Sequence, residues 1–433
     1  MYQALSLLAL LSLNGPTEPN TELEAVRSER VLTAQDELNA FLSAAVTPRM
    51  STKNDLLKAV KEGNVWLKMR YRFENASENT IPKEAYASTL RTVLGYETGS
   101  WNNFTGTVEF EDVSPINDDS FNSTANGKTN RAVVADPDVS EVNQVFLQYK
   151  YKKMGRFRVG RQRITLANHR WIGNVGWRQN EQTYDGASTQ WNLGRGTKAF
   201  YAYISNTNDV KGGDWRMSTH LLHVTQEIED VGEATVYGYR LNFDQTTGNE
   251  ASTNTVGARM VGETKLGDDS AVLWTGELAN QAAASQNKDS LNAYYVLGEA
   301  GFRSVCGTFM LGYEMLGGSG RPGDALQTPL ATLHGKNGWA DQFLTTPMEG
   351  LKDMSISYSK KVGNTKLKAV YHDFEADHGN LDFGSEVDLD AVWPLSDNLT
   401  VGARYANYMA KDNPNGSTLN DTNKFWFWVS FWT

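Results

Sequence analysis

The sequence predicts an all-β membrane protein, a single antiparallel transmembrane β-barrel of about eighteen strands behind a short N-terminal helical leader. Three observations lead there. The chain ends in an aromatic run, Lys424-Phe-Trp-Phe-Trp-Val-Ser-Phe-Trp-Thr433; apolar and charged side chains alternate over many segments; and short connections alternate with long polar ones. An extended chain points successive side chains to opposite faces. Phe425, Phe427, Val429 and Phe431 therefore share one face, and Trp426, Trp428, Ser430 and Trp432 the other. As the edge of a soluble sheet this surface would have to be hidden or would aggregate. Against lipid it is an outer face with an aromatic girdle.

Composition agrees. Apolar residues make up 40% of the 433 residues, while aromatics reach 11% and there are 38 glycines, which suits a barrel with a wet interior. No apolar stretch approaches the roughly 18 residues of a transmembrane helix. The formal charge of −10 argues against nucleic-acid binding. The single cysteine, Cys306, excludes an internal disulfide framework and is expected to be a small packed side chain in a strand-like run.

Taken in order, residues 1–15 hold the apolar run Ala4–Leu13, the length of the core of a secretory signal peptide. Residues 16–62 form a helical or flexible leader, with helix formers in Glu22–Arg27 and Thr33–Leu42 and helical spacing of Leu56, Leu57 and Val60. The barrel spans 63–433. From Val65 the period becomes two: Val65, Leu67, Met69, Tyr71 and Phe73 alternate with Lys68, Arg70, Arg72 and Glu74. Phe104, Gly106, Val108 and Phe110 oppose Thr105, Thr107, Glu109 and Glu111; Val145 and Leu147 oppose Gln144 and Gln148. Later, Phe383, Val387, Leu389 and Ala391 are expected outward, opposite Asp382, Glu386, Asp388 and Asp390. Unpaired charges on the inner face of a soluble sandwich would be very costly, whereas in a water-filled barrel they cost little. The connections at Gly99-Ser100, Lys152–Gly155 and Gly363-Asn364 are hairpin-sized, and those at Ser114–Ser140, Asn206–Trp215, Gly317–Gly350 and Lys411–Asn423 are long.

The most basic segment is Gly155-Arg-Phe-Arg-Val-Gly-Arg-Gln-Arg-Ile164, continuing through Arg170 and Arg178 to Tyr184-Asp-Gly186. Arg156 and Arg158 share a face, whereas Arg161 and Arg163 have the opposite parity, so a bulge near Gly160 is expected to bring all four inward. Trp171, Gly173, Gly176 and Trp177 suit a loop that folds into the lumen. Guanidinium groups are forks of donors matched to carboxylates, so these arginines, with Arg70, Arg72, Arg91 and Arg404, read as an anion-attracting constriction. The alternative is that they pair with inward Glu74, Glu97, Glu109, Glu111, Glu386 and Asp388 to brace the wall. Both arrangements are compatible, since opposed acidic and basic walls set up a transverse field.

Val159–Ile164, the Trp-Arg-Gln segment and Tyr184-Asp-Gly186, together with Leu67-Lys-Met-Arg-Tyr-Arg-Phe-Glu74, Tyr371–Phe374 and Phe383–Asp388, resemble the alginate-export porin family. The resemblance covers nearly all of the chain after the leader. It implies an eighteen-stranded monomeric barrel in the outer membrane, passing an anionic polysaccharide through a narrow lumen lined by Arg70, Arg72, Arg91, Arg156, Arg158, Arg161 and Arg163. Expected partners are membrane lipid and lipopolysaccharide, the barrel-assembly machinery, and anionic carbohydrate or small acidic solutes. No cofactor is expected. His220 and His223 fall on opposite strand faces, a poor arrangement for one metal, and Asp373, Asp377 and Asp382 read as a solvated turn rather than a calcium site. Neither a phosphate-binding loop nor a Gly-x-Ser-x-Gly elbow is present. An unspecific diffusion porin, and a barrel-embedded enzyme or adhesin, are the competing readings.

Overall fold

The computed structural model describes residues 53–244, 251–284, 287, 290–411 and 419–433. The signal-peptide reading and all of the leader before Lys53 lie outside these residues. The described part opens with helix α1 (Lys53–Lys61). Eighteen strands follow: β1 (Asn64–Glu78), β2 (Ala85–Glu97), β3 (Phe104–Pro115), β4 (Val139–Tyr151), β5 (Gly155–Gln162), β6 (Thr183–Gly194), β7 (Thr197–Asn208), β8 (Asp214–Ile228), β9 (Gly232–Leu241), β10 (Thr253–Lys265), β11 (Ala271–Ala283), β12 (Asn292–Ser304), β13 (Gly307–Leu316), β14 (Leu351–Val362), β15 (Thr365–Glu375), β16 (Asp382–Ser396), β17 (Leu399–Ala410) and β18 (Thr422–Trp432). Each pairs antiparallel with its neighbour in sequence, and β18 pairs with β1, so the sheet closes on itself. Closure leaves no sheet edge.

At the seam Glu74 lies opposite Trp426, Arg72 opposite Trp428, and Arg70 opposite Ser430, which keeps the two faces read from the sequence. Trp426 is fully buried and Trp428 nearly so, whereas Phe425 and Phe431 are exposed on the outside. The alternation holds elsewhere. Thr105, Thr107, Glu109 and Glu111 are buried, and Val65, Leu94, Val256 and Leu278 stand out from the wall. Connections are short at one end of the barrel (residues 152–154, 195–196, 305–306, 363–364) and long at the other (116–138, 163–182, 317–350).

Two local expectations fail, each for a geometric reason. Phe383 is buried inside the barrel rather than outside. The β15–β16 ladder shifts there, with Phe374 opposite Gly384 and Glu375 opposite Asp382, so Phe383 is the extra residue of a bulge and its parity reverses. Gly384 takes φ +108, which only glycine adopts easily. Cys306 is exposed in the turn between β12 and β13, not packed in a strand.

The interior is not a plain water-filled tube. Side chains of the long connections, among them Ile172, Leu326, Leu330, Ala340 and Phe343, are buried in one apolar cluster with Tyr184, Tyr237, Tyr295, Phe374, Tyr408 and Trp426 of the wall. Loops that would otherwise be solvated outer segments thus supply core. Replacing Trp426 by alanine should remove a fully buried seam side chain and cost about 3 kcal/mol or more. The expected readout is a lower urea midpoint for loss of the compact, heat-modifiable band on gels.

Candidate functional site: the lumen and its inserted loops

The charged site is built where two loops enter the barrel. The loop at 163–182 reaches inward-facing groups on strands far apart around the wall. From β1, Arg70 donates to the Gln179 side chain (2.7 Å) and to the carbonyls of Gly176 (3.1 Å) and Trp177 (3.2 Å). From β3, Glu111 accepts from the Glu181 amide at 3.0 Å. Across the lumen, Trp171 donates to Glu277 of β11 (2.9 Å), and Arg170 to Glu314 of β13 (2.9 Å). A segment that touches all of these must cross the lumen.

The second loop, 317–350, docks on the first and on the remaining wall. Gly173 donates to the Leu330 carbonyl (2.8 Å), and Thr332 to that of His169 (3.0 Å). Glu386 of β16 accepts the backbone amides of Trp339 and Ala340, the latter at 2.7 Å. Gly338 makes this docking possible: its φ is +78, and a Cβ there would sit 2.2 Å from Glu386 Oε2. Asn337 bridges Glu314 (2.8 Å) and Asp353 (3.1 Å). Near the seam, Arg404 lies between the rings of Trp177 and Trp339, at 4.2 and 4.1 Å from their centroids, and binds Asp390 at 2.9 Å.

Hydrogen-bond polarity fixes one proton at this junction. Arg404 donates to His334 Nε2 (2.8 Å), and Asp341 accepts from His334 Nδ1 (2.8 Å), so the imidazole is neutral. Burial pushes its pKa down to about 4, against the pull of Asp341. The ring stacks on Trp177 at 4.3 Å.

Most of the basic residues expected in the lumen are thus occupied. Arg72 pairs with Asp136, from the 116–138 loop, and with Glu74. Arg91 binds Glu111 (2.8 Å). Arg163 binds Glu181 (2.7 Å) and Glu109 (3.4 Å). Arg178 bridges Glu74 (3.3 Å) and Asp341 (2.9 Å). Glu386 and Asp388 are fully buried on β16, with Glu386 given over to the loop amides.

Arg161 is a correction. The β4–β5 and β5–β6 ladders run in unbroken register through Gly160, so no bulge reverses the parity. Arg161 stays on the face of Phe157 and Val159 and binds Asp185 at 2.8 Å in a polar groove with Asn206 and Asp214. Arg163, one residue past the strand, does turn in.

Arg156 and Arg158 remain. Both line a lumenal cavity of about 670 Å³ on the short-turn side, with Lys68, Lys198, Glu97, Glu109, Glu233 and the rings of Trp66, Phe146, Phe200 and His223. Arg158 donates to Gln148 (2.8 Å) and lies over Phe146, with no carboxylate within ion-pair distance among the described residues. The Arg156 side chain has no hydrogen bond or ion pair among the described residues. Strand parity alone did not find Asp136, Gln179, His334, Trp339 or Asp341. The apolar residues within the 317–350 loop, Leu326, Leu330, Trp339 and Phe343, were the available sign that it is not a solvated loop.

A closed barrel of this size, apolar outside, with short turns at one end and charge-lined loops folded within, is an outer-membrane porin. The chain belongs to the alginate export family, whose model matches residues 63–380. Solved porins share the fold at low identity. OccAB2 of Acinetobacter baumannii superposes with a TM-score of 0.68 at 15% identity, over 87% of this chain and 99% of that one. OpdL of Pseudomonas aeruginosa gives 0.66 at 14%, over 86% and 99%, and OpdK of the same organism, crystallised with vanillate, gives 0.66 at 13%, over 86% and 99%. No curated protein sequence matches the chain significantly. Family and fold are those of channels, not enzymes. The short-turn end is accordingly periplasmic.

The loop clasp yields two expectations. Replacing Asp136 by alanine removes the closer of the two carboxylates on the buried Arg72 guanidinium and leaves only Glu74 at 3.5 Å, a change that costs about 3 kcal/mol. Faster protease cleavage within 163–182 and a larger, noisier single-channel current are the expected readouts. Burial alone would raise the Glu181 pKa, but the Arg163 hydrogen bond and charge, with Arg91 and Asn143, hold it down to about 2 from an ordinary 4.5. Its stabilisation of the clasp is therefore complete above pH 4.5 and fades as pH falls towards 2. Current steps recorded between pH 5 and 2.5 should open in that window and close on return, and should be absent in Glu181→Gln.

Proposed function

We propose that this porin passes anionic oligo- or polysaccharides, or similar small carboxylates, by passive diffusion, and that its selectivity rests on Arg156 and Arg158. The single observation carrying this reading is the contrast among the basic residues. Those at the loop clasp are neutralised by adjacent carboxylates or consumed by loop carbonyls, whereas Arg156 and Arg158 face a cavity with no acidic partner in contact among the described residues. A guanidinium with no carboxylate in contact, in a partly desolvated passage, stays available to a passing anion. The clasp arginines form the narrow part of the lumen by holding its loops in place. The alginate export family and the vanillate found in OpdK, a carboxylate ligand, support an anionic cargo.

The porin works as a monomer in contact with outer-membrane lipid, and no cofactor takes part. The competing reading, an unspecific diffusion pore, predicts equal flux of neutral and acidic sugars in liposome swelling. Reconstitution in a planar bilayer under a KCl gradient tests the proposal directly. The wild type should show an anion-selective reversal potential, and Arg156→Gln with Arg158→Gln should bring the permeability ratio at least about threefold closer to unity. Cation preference in the wild type, or an unchanged ratio in the double variant, would sink it.

A further inference from the structure

The β14–β15 hairpin carries a feature that the arginine reading leaves unused. Lys361 and Lys366 are directly opposed across the ladder, and Lys368 follows on the same face opposite Ser359. That face is the lumenal one, since it continues into Asp353 and His372, both buried inside the barrel. Like charges directly opposite one another on a sheet repel, so the pair opposes folding and needs another reason to be there. Neither the Lys361 nor the Lys366 side chain forms a hydrogen bond or ion pair among the described residues, and both are exposed at the periplasmic mouth. Lys368 lies over the Trp339 ring at 5.9 Å, and its cross-strand neighbour Asp390 is engaged by Arg404.

Above the lysines the inward positions of β14 are Ser359, Ser357 and Ser355, three half-buried hydroxyls in a row with no side-chain hydrogen bond among the described residues. Beside them on β13 stand Thr308, Met310 and Gly312, and the inward carboxylates that follow on the two strands, Glu314 and Asp353, are engaged by Arg170 and His372.

Resting on the anion reading above, we infer that Lys361, Lys366 and Lys368, with the serine row above them, form a capture site on the periplasmic side for anions that also bear hydroxyl groups, such as the units of an acidic oligosaccharide. The lysines draw in the carboxylates. The serines exchange hydrogen bonds with the sugar hydroxyls as the ligand moves inward. This site lies on a different stretch of wall from Arg156 and Arg158, which belong to β5, and it acts on molecules arriving from one side only.

Oriented channels in a planar bilayer, probed with trigalacturonate, separate the possibilities. With the probe on the periplasmic side at 0.1 M KCl, Lys361→Gln with Lys366→Gln should slow the association rate of current blockades about fivefold or more, and leave the rate from the other side unchanged. The effect should vanish in 1 M KCl, where the screening length falls to about 3 Å. Lys366→Glu, which gives Lys361 a partner and relieves the repulsion, should act in the same direction while leaving the barrel at least as stable in urea. Ser355→Ala with Ser357→Ala should shorten trigalacturonate blockades about twofold but not those of inorganic phosphate. An anion-selective wild type whose periplasmic association rate is unaffected by the lysine changes, or is reduced equally from both sides, overturns this inference alone. A wild type without anion preference overturns the anion reading and this site with it.

Discussion

The rest of the structure depends on one constraint, the need to pair every backbone N–H and C=O within a bilayer that offers no water. An open sheet cannot satisfy it, so β18 has to return to β1. Once closed, the wall has only two environments. Residues of one parity meet lipid and are apolar; residues of the other meet the lumen and are free to be charged. The abundance of charge on the inner parity of β1, β3 and β16 is thus a consequence of closure. Whether that charge serves transport or architecture is decided afterwards, by what enters the lumen.

What enters is protein. Two loops fill much of the interior, and inside them charge is no longer cheap. Arg72, Arg170 and Glu386 are fully buried, and each has a loop or wall partner, although Arg72 Nε, Arg170 Nη1 and Glu386 Oε2 make no hydrogen bond among the described residues. Ion pairs of this kind add little net stability, because desolvation consumes most of the Coulombic gain. Their importance is geometric, since each pair ties a loop to a particular point on the wall. The lumen therefore divides between a self-neutralised clasp and a short-turn region where the Arg156, Lys361 and Lys366 side chains have no carboxylate partner among the described residues.

Much of this was legible in the sequence because a strand has a period of two and a barrel wall has two unlike faces. The strand number and the inward direction of Trp426, Arg70, Arg72, Glu109 and Glu111 followed from that alternation. It failed where one residue changes the count. The bulge at Phe383 is set by a glycine at positive φ that a parity rule cannot foresee, and the bulge expected at Gly160 does not interrupt the ladder, which keeps Arg161 outside. It was silent about loops. Asp136, His334 and Asp341 join the clasp through contacts between segments far apart in sequence, for which no local pattern exists. The charge count also could not separate paired from unpaired arginines, which is a property of partners rather than of spacing.

The crossing loop at 163–182 is tied to β1, β3, β11 and β13, points spread around the circumference. A hollow cylinder under lateral load deforms most easily by flattening into an oval. Struts between opposite walls suppress that mode, as spokes keep a rim round. The bore of this porin is accordingly insulated from the changing lateral pressure of the surrounding membrane, and its dimensions are set by covalent chain and ion pairs instead of by the lipids outside.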